Sequence, residues 1–493
     1  MEEIYSIRPL LAVCASLVVI PILASSRNAN VRETWTFVAG AVKLALVASL
    51  LPLIVAGHKV VFTLADVIPG VPLAFRVDAM GLLFALVASS LWIVTSAYSI
   101  GYMRGLREHS QTRYYCFFAL ALSATIGVAF SANLLTLYLF YEILSFATYP
   151  LVTHHQDGEA RISGRKYLFF IVGGSVALVL PAMVVCYVKT GTLDFAAQGI
   201  LNGHVSAGVA TGLVLMFVFG LAKAGVMPLH AWLPAAMVAP TPVSALLHAV
   251  AVVKVGAFSI FRVLTGIFGV DLLARFDLGT LVGILASITI IVASLIAMSQ
   301  DGLKRRLAFS TIGQLSYILL GAALLTPKGM AGGLLHIAMH AFGKITLFFC
   351  AGAIFVATGL ANISDMKGIG RRMPVTMAAF FVGSLSVIGL PPAGGFLSKW
   401  TLLLGTLEAG QMAFLAVLLV SSLLNAAYFL PIVYNAFFVH PEHGRFQGGV
   451  REAPGWCLAP IIVAALASLL LFFKPWPFMD LANLAAAQIM GGG

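Results

Sequence analysis

The stretch LAKAGVMPLHAWLPAAMVAPTPVSALLHAVAVVKVGAFSIFRV, residues 221–263, is apolar enough to lie in a bilayer, yet it holds Lys223, His230, His248 and Lys254. Pro228 and Pro234 interrupt the first of its two helical patterns, and Pro240 and Pro242 introduce the second. A lysine at bilayer depth costs roughly 2.5–3.5 kcal/mol on insertion scales, so such residues face a bundle interior or a wet cavity. Two of them on neighbouring helices, one beside a helix break, read as part of an ion path.

The rest of the chain fits that reading. Of 493 residues, 60% are hydrophobic and 10% charged, which excludes a soluble protein. Apolar runs long enough to cross about 30 Å of hydrocarbon recur along the whole length, so one polytopic bundle is expected rather than several soluble domains. The formal net charge of +11 does not point to nucleic acid, because the basic residues are scattered over short loops, where they set topology. Cys14, Cys116, Cys186, Cys350 and Cys457 stand alone. No CxxC or Cys/His spacing suggests a metal or an iron–sulfur cluster, and no flavin, haem or cluster motif is present, so no cofactor is expected. The first apolar run, residues 10–24, follows Glu2 and Glu3 rather than a positive leader. It reads as a first membrane helix and not a cleaved signal peptide.

Hydropathy gives fourteen spans, at approximately 9–25, 35–56, 78–103, 114–131, 133–153, 165–189, 207–233, 240–265, 278–299, 306–326, 329–358, 374–405, 411–438 and 456–474. Loops after odd-numbered helices carry 16 basic residues, from Arg27 to Arg451 and including Arg445, against 7 on the other side. Both termini are therefore expected away from the cytoplasm. Residues 60–76, with β-branched runs around VIPGVP, suggest a surface hairpin, and the tail after Lys474 a short amphipathic piece. Two helices look broken: the seventh at Pro228 and Pro234, the twelfth at Pro391, Pro392, Gly394 and Gly395. Breaks in matching places point to inverted repeats with sites at the breaks, since proline removes an amide and frees a carbonyl. The expected organisation is 1–110 (helices 1–3), 111–270 (helices 4–8, first repeat), 271–440 (helices 9–13, second repeat) and 441–493 (helix 14 and tail).

Five lysines fall inside spans, and among the acids only Glu142 lies well inside one. Glu142 and Lys223 form the candidate pair: a carboxylate near a desolvated ammonium modulates its proton affinity. Lys254 lies mid-helix, too deep to snorkel. His336, His340 and Lys344, at i, i+4 and i+8, share one helix face and suit a proton relay. Their HxxxH spacing lacks a third ligand or an HExxH glutamate, so metal is not expected there. Lys399, after the second break, is the expected terminal carrier, with His230 and His248 as further relay candidates. Lys43, alone near a helix end, is expected to snorkel.

The motifs KAGVMPLHAWLP, APTPVSALLHA, HAFGKITLFF, GIGRRMP and GLPPAGGFLSK resemble the proton-conducting antiporter-like subunits of respiratory complex I, membrane-bound hydrogenases and Mrp-type cation/proton antiporters, the D-type Mrp component looking nearest. The resemblance spans roughly residues 130–400. It implies an all-α polytopic membrane protein of about fourteen helices, with two inverted five-helix repeats and broken helices 7 and 12. It also implies a polar axis running from the Glu142–Lys223 input through Lys254, His340 and Lys344 to Lys399. The partners it implies are other integral membrane subunits, lipid, H⁺, and Na⁺ or K⁺ if exchange occurs; the location is a bacterial or archaeal cell (inner) membrane. Alternatives are the pumping subunit of a redox-driven complex and a non-conducting scaffold. In one departure, Ala235 and Ala236 follow the WLP triplet where many relatives carry an acid.

Overall fold

The computed structural model describes residues 3–440, 446 and 449–491; Glu2 and Arg445 lie outside the described residues. Among the described residues, ten helices are long and apolar enough to cross a membrane, and Ala207–Gly220 and Pro374–Ile388 are shorter apolar helices. Leu303–Ala323 has the length of a span, but Ser310, Thr311, Gln314, Ser316 and Tyr317 give it a polar face. The expected count of fourteen is approached only by adding these shorter or more polar elements.

Burial sorts the helices into an inner and an outer set. The apolar window of Thr241–Phe268 is 100% buried within the chain, against 28% for Gly158–Thr190 and 33% for Met412–Phe438. A helix apolar on every side and wholly enclosed belongs at the centre of a bundle. Ala79–Gly105 and the 32-residue helix Pro327–Thr358 flank it. Side chains fix where these helices begin. The Asp78 carboxylate accepts from the Gly81 amide at 2.8 Å, Asn133 from Thr136 at 2.8 Å and Thr326 from Gly329 at 3.2 Å, each satisfying an amide that the first turn leaves free.

Several expectations change. The first span is two short helices, Arg8–Cys14 and Ile20–Ser25, joined by a turn. The seventh helix stops at Gly220, eight residues before Pro228. A short turn Ala222–Ala224 follows, closed by Gly225 at φ +69°, and residues 227–231 make turns. The chain regains helix only briefly at Trp232–Ala235, so the break is a whole irregular segment rather than a proline kink. The twelfth helix is broken where expected. Pro374–Ile388 ends at Gly389, φ +89°, where the Lys399 stem fills the space a side chain would need, and helix resumes at Gly395–Glu408.

The hairpin is present as β2 (Lys59–Ile68) and β3 (Val71–Val77), antiparallel. The sequence reading missed β1 (Glu3–Tyr5), which pairs parallel to β2 in the order β1-β2-β3. The tail helix Phe478–Ile489 buries Phe478, Leu481, Ala482, Ala485 and Ala486, packing against Pro327–Thr358 instead of lying free on a surface.

Lys43 does not snorkel. It is 0% exposed on the inward face of Ala29–Ala48, its ammonium 5.7 Å from the centre of the Trp92 ring and without a hydrogen-bond partner among the described residues. Ala39 and Gly40 share that face, and their small size holds the helix against Ala79–Gly105 too closely for the lysine to turn outward. Arg262, inside the central span, donates to both carboxylate oxygens of Asp78, from Nη2 to Oδ1 at 2.8 Å. With the Gly81 amide, this bidentate contact gives the largely buried Asp78 carboxylate charged and neutral donors on the same two oxygens.

Candidate functional site: a buried row of lysines and histidines

Lys223 lies in the turn that follows the first break. Its Nζ donates to the Tyr141 carbonyl at 2.8 Å and the Ser145 hydroxyl at 2.6 Å, and sits 3.1 Å from the centre of the Tyr141 ring. Its backbone amide, freed by the break, donates to the Tyr141 hydroxyl at 3.2 Å. All of these partners come from Leu134–Val152, the helix that carries Glu142. Glu142 and Lys223 feel each other electrostatically but form no direct ion pair. Neither carboxylate oxygen has a hydrogen-bond partner among the described residues, although both are shielded from solvent. A buried, unpaired carboxylate one residue from the atoms that hold Lys223 is costly to keep and sensitive to any change around it.

Behind Lys223, Gly256 lets the central span approach: a Cβ there would collide with the Ala224 amide nitrogen. That span is irregular just before Lys254. Residues Leu246–Val250 form a π-helical turn and Ala251 leaves helical geometry at φ −104°, ψ −86°. Such turns re-aim side chains and recur at functional sites. Lys254 is 0% exposed, and its Nζ lies 2.6 Å from His340 Nδ1. At that distance one nitrogen must donate and the other accept, so the pair shares a proton. His340 Nε2 is left without a partner among the described residues.

The spacing of His336, His340 and Lys344 places them in register on Pro327–Thr358, as expected. The two imidazoles stack at 5.5 Å with 22° between planes. His336 contacts the Ser398 hydroxyl at 2.9 Å through Nδ1 and Gln314 Oε1 at 3.1 Å through Nε2. Gln314 Oε1 can only accept, so Nε2 carries the proton, and Nδ1 is free to accept from the Ser398 hydroxyl, whose other partner is the Gly395 carbonyl 3.1 Å away. Tyr317 stacks on His336 at 5.3 Å, and the Lys399 ammonium lies 4.6 Å from the centre of that tyrosine ring. Lys399 donates to the Ile388 carbonyl, freed by the second break, at 3.0 Å, and to Ser422 at 3.4 Å. Lys344 donates to Ser310 at 2.8 Å, and Ser310 also accepts from Tyr428 at 3.0 Å.

The structure thus brings Lys254, His340, His336 and Lys399 into one chain of contacts, with Lys344 on a branch. No hydrogen bond joins Lys223 to Lys254 among the described residues. His248 stands aside: it packs on Phe348 with ring centres 4.8 Å apart, and neither nitrogen has a hydrogen-bond partner among the described residues. His230 lies elsewhere, half-exposed, with Nδ1 3.2 Å from the Pro228 carbonyl. It lines a cleft of about 740 Å³ on the face of the basic loops, together with Glu108, Lys166 and Lys304. At its rim, burial and then the neighbouring His109, Arg113 and His155 charges push His154 down to about 4.

The sequence reading missed the hydroxyl and amide groups between the charges: Tyr141, Ser145, Ser310, Gln314, Tyr317, Ser398 and Tyr428. Helical spacing carried a signal for some. Tyr141 and Ser145 bracket Glu142, and Ser310, Gln314 and Tyr317 lie at i, i+4 and i+7 on one face.

Residues 131–425, more than half of the chain, match the family described as NADH:quinone oxidoreductase/Mrp antiporter, TM. NADH-quinone oxidoreductase subunit N of Desulforudis audaxviator is 36% identical over 391 residues, 76% of this chain and 76% of that protein. Hydrogenase-4 component B of Escherichia coli is 31% identical, covering 84% of this chain and 64% of its own length. Na⁺/H⁺ antiporter subunit A1 of Staphylococcus aureus is 30% identical over 81% of this chain and only 52% of the antiporter subunit. In three dimensions the fold resembles chains of the Mrp complex from Dietzia (TM-score 0.85, 22% identity, 99% of this chain, 98% of that one) and of an archaeal membrane-bound sulfane sulfur reductase (TM-score 0.87, 24% identity, 98% of each).

Proposed function

The chain belongs to the NADH:quinone oxidoreductase/Mrp antiporter transmembrane family, and on that premise we propose that it translocates protons as one subunit of a multisubunit membrane complex. The observation that carries this reading is the Lys254–His340 contact at 2.6 Å inside a helix bundle, continued by stacked imidazoles to Ser398 and Lys399. Buried titratable groups in contact are expensive in a membrane and are kept where charge moves.

In this reading Glu142 and Lys223 are the input. A change beside Glu142 alters how strongly its carboxylate holds charge on Lys223, and water entering between the two lysines passes a proton to the Lys254 amine. The Lys254 ammonium gives its proton to His340 Nδ1, leaving a neutral amine and an imidazolium. The proton leaves through the His336, Ser398 and Tyr317 group towards Lys399. Residues 111–270 and 271–440 act as two repeats, each with a lysine at its break. The basic-loop bias supports termini on the non-cytoplasmic side of a bacterial or archaeal cell membrane.

Replacing Glu142 or Lys223 with Ala in the assembled complex is expected to abolish coupled ion movement in proteoliposomes while assembly is retained. Normal translocation in both variants would sink the proposal. The relatives include both redox-linked and Na⁺/H⁺ antiporter proteins. Co-purification separates these two drivers: partners with iron–sulfur motifs mean a redox pump, and only small membrane partners mean exchange with Na⁺ or K⁺.

A further inference from the structure

A second cluster of titratable groups lies outside the row, on the basic-loop face. Glu108 and His109 sit in the loop between Ala79–Gly105 and Gln111–Ala129, and His154 and His155 follow the end of Leu134–Val152. Glu108 Oε2 lies 3.8 Å from His109 Nδ1 and 3.7 Å from His154 Nε2, and Oε1 lies 4.0 Å from His155 Nε2. The nearest such atoms of Glu108, His109 and His154 all fall within 4.8 Å of one another. These separations are too long for hydrogen bonds. They approach the spacing of about 3.3 Å between ligand atoms that share one tetrahedral ion at about 2.0–2.1 Å from each.

The state of His154 makes this more than a chance cluster. The side chain is 0% exposed, its ring nitrogens meet no partner in good hydrogen-bond geometry among the described residues, with only the His109 backbone near, and Nε2 lies 3.7 Å from the Glu108 carboxylate. Burying an imidazole this way costs free energy unless something binds it. The surrounding backbone is held in place: the Glu108 amide donates to Met103 at 2.9 Å, Gln111 donates to the Glu108 carbonyl at 3.1 Å and Arg113 to the His154 carbonyl at 2.8 Å. The Arg113 charge opposes a cation, and the Glu108 carboxylate offsets it. His109 and His155 are partly exposed, and Glu108 and His155 also line the cleft of about 740 Å³, which gives an ion a route from water.

We infer that Glu108, His109, His154 and His155 form a binding site for a divalent transition-metal ion of the Zn²⁺ class. Three imidazoles and one carboxylate suit Zn²⁺, Co²⁺ or Ni²⁺ and disfavour Ca²⁺ and Mg²⁺, which take oxygen ligands. Bound metal ties the loop after Ala79–Gly105 to the end of the helix that carries Glu142, at the mouth of the cleft. Because the four ligands come in two pairs about forty-five residues apart, no local spacing motif announces them.

The test uses the purified full-length chain, stripped with chelator and titrated with Zn²⁺ by calorimetry and with Co²⁺ by visible absorption. The expected result is one ion per chain, with the intense d–d absorption of a tetrahedral Co²⁺ site. Each lost ligand in H109A and H154Q should weaken binding by about tenfold or more. H109A guards against misfolding, since His109 is half-exposed. No saturable binding in the wild type, or equal binding in wild type and H109A, overturns the inference. Neither readout depends on proton transport.

Discussion

Lys223 and Lys399 occupy the same kind of place and are held differently. Each follows a helix break, and each ammonium lies over a tyrosine ring, Tyr141 at 3.1 Å and Tyr317 at 4.6 Å. Lys399 donates to Ile388, a carbonyl its own broken helix leaves free, and has no acid within ion-pair reach among the described residues. Lys223 instead binds a neighbouring helix through Tyr141 and Ser145, with Glu142 next in sequence, where the chain has Ile318 after Tyr317. One lysine is fastened into the structure of its break. The other is held by a neighbouring helix that carries a buried, unpartnered carboxylate. A break supplies a polar pocket in both places, and only one of the two pockets has an acid beside it.

The largest effect should come from separating the two regions. K254M keeps much of the side-chain volume but removes the amine that meets His340. Removing a positioned proton-transfer group typically costs about 10²–10⁴ in rate, so proton flux in proteoliposomes should fall by at least about a hundredfold. Substantial flux would mean that the row has a second route.

A smaller effect sharpens the contrast in stability. K399A leaves the Ile388 carbonyl without its donor and should cost about 1–3 kcal/mol, lowering the thermal unfolding midpoint. K223A should cost less, because the Tyr141 carbonyl keeps the Ser145 hydroxyl at 3.2 Å. Equal shifts in the two variants would erase the distinction between fastened and held.

The smallest effect compares the rings. The Tyr141 hydroxyl accepts from the Lys223 amide, whereas Ser421 and Ser422 lie near the Tyr317 hydroxyl without hydrogen-bond geometry. Y141F should therefore destabilise by about 1 kcal/mol and Y317F by less than about half of that. Denaturation of the two variants side by side reads the difference, and a reversed order would contradict it.

Much of this is legible in the sequence, for physical reasons. Charge is so costly in a bilayer that Glu142, Lys223, Lys254, Lys344 and Lys399 stand out in apolar text, and a helix face forces His336, His340 and Lys344 together. Glycine and proline at 389–395 mark the second break correctly. Proline misplaces the first, because the helix yields at Gly220 through backbone geometry that leaves no proline signature. Lys43 reads wrongly because snorkelling is argued from distance to a helix end, while packing against Trp92 decides it. His230 and His248 look equivalent to the other histidines, yet tertiary placement sends one to a cleft and the other to an apolar pocket. The hydroxyl groups that connect the row are common residues in membrane helices, and only proximity in space marks them out.

If Glu142 acts through Lys223, a double-mutant cycle on proton flux will show it, using E142Q, K223A and the double variant in the same reconstituted complex. The expected result is that both single variants lose coupled flux and the double variant is no worse than K223A. Wild-type flux in E142Q, or losses that simply multiply in the double variant, would contradict it.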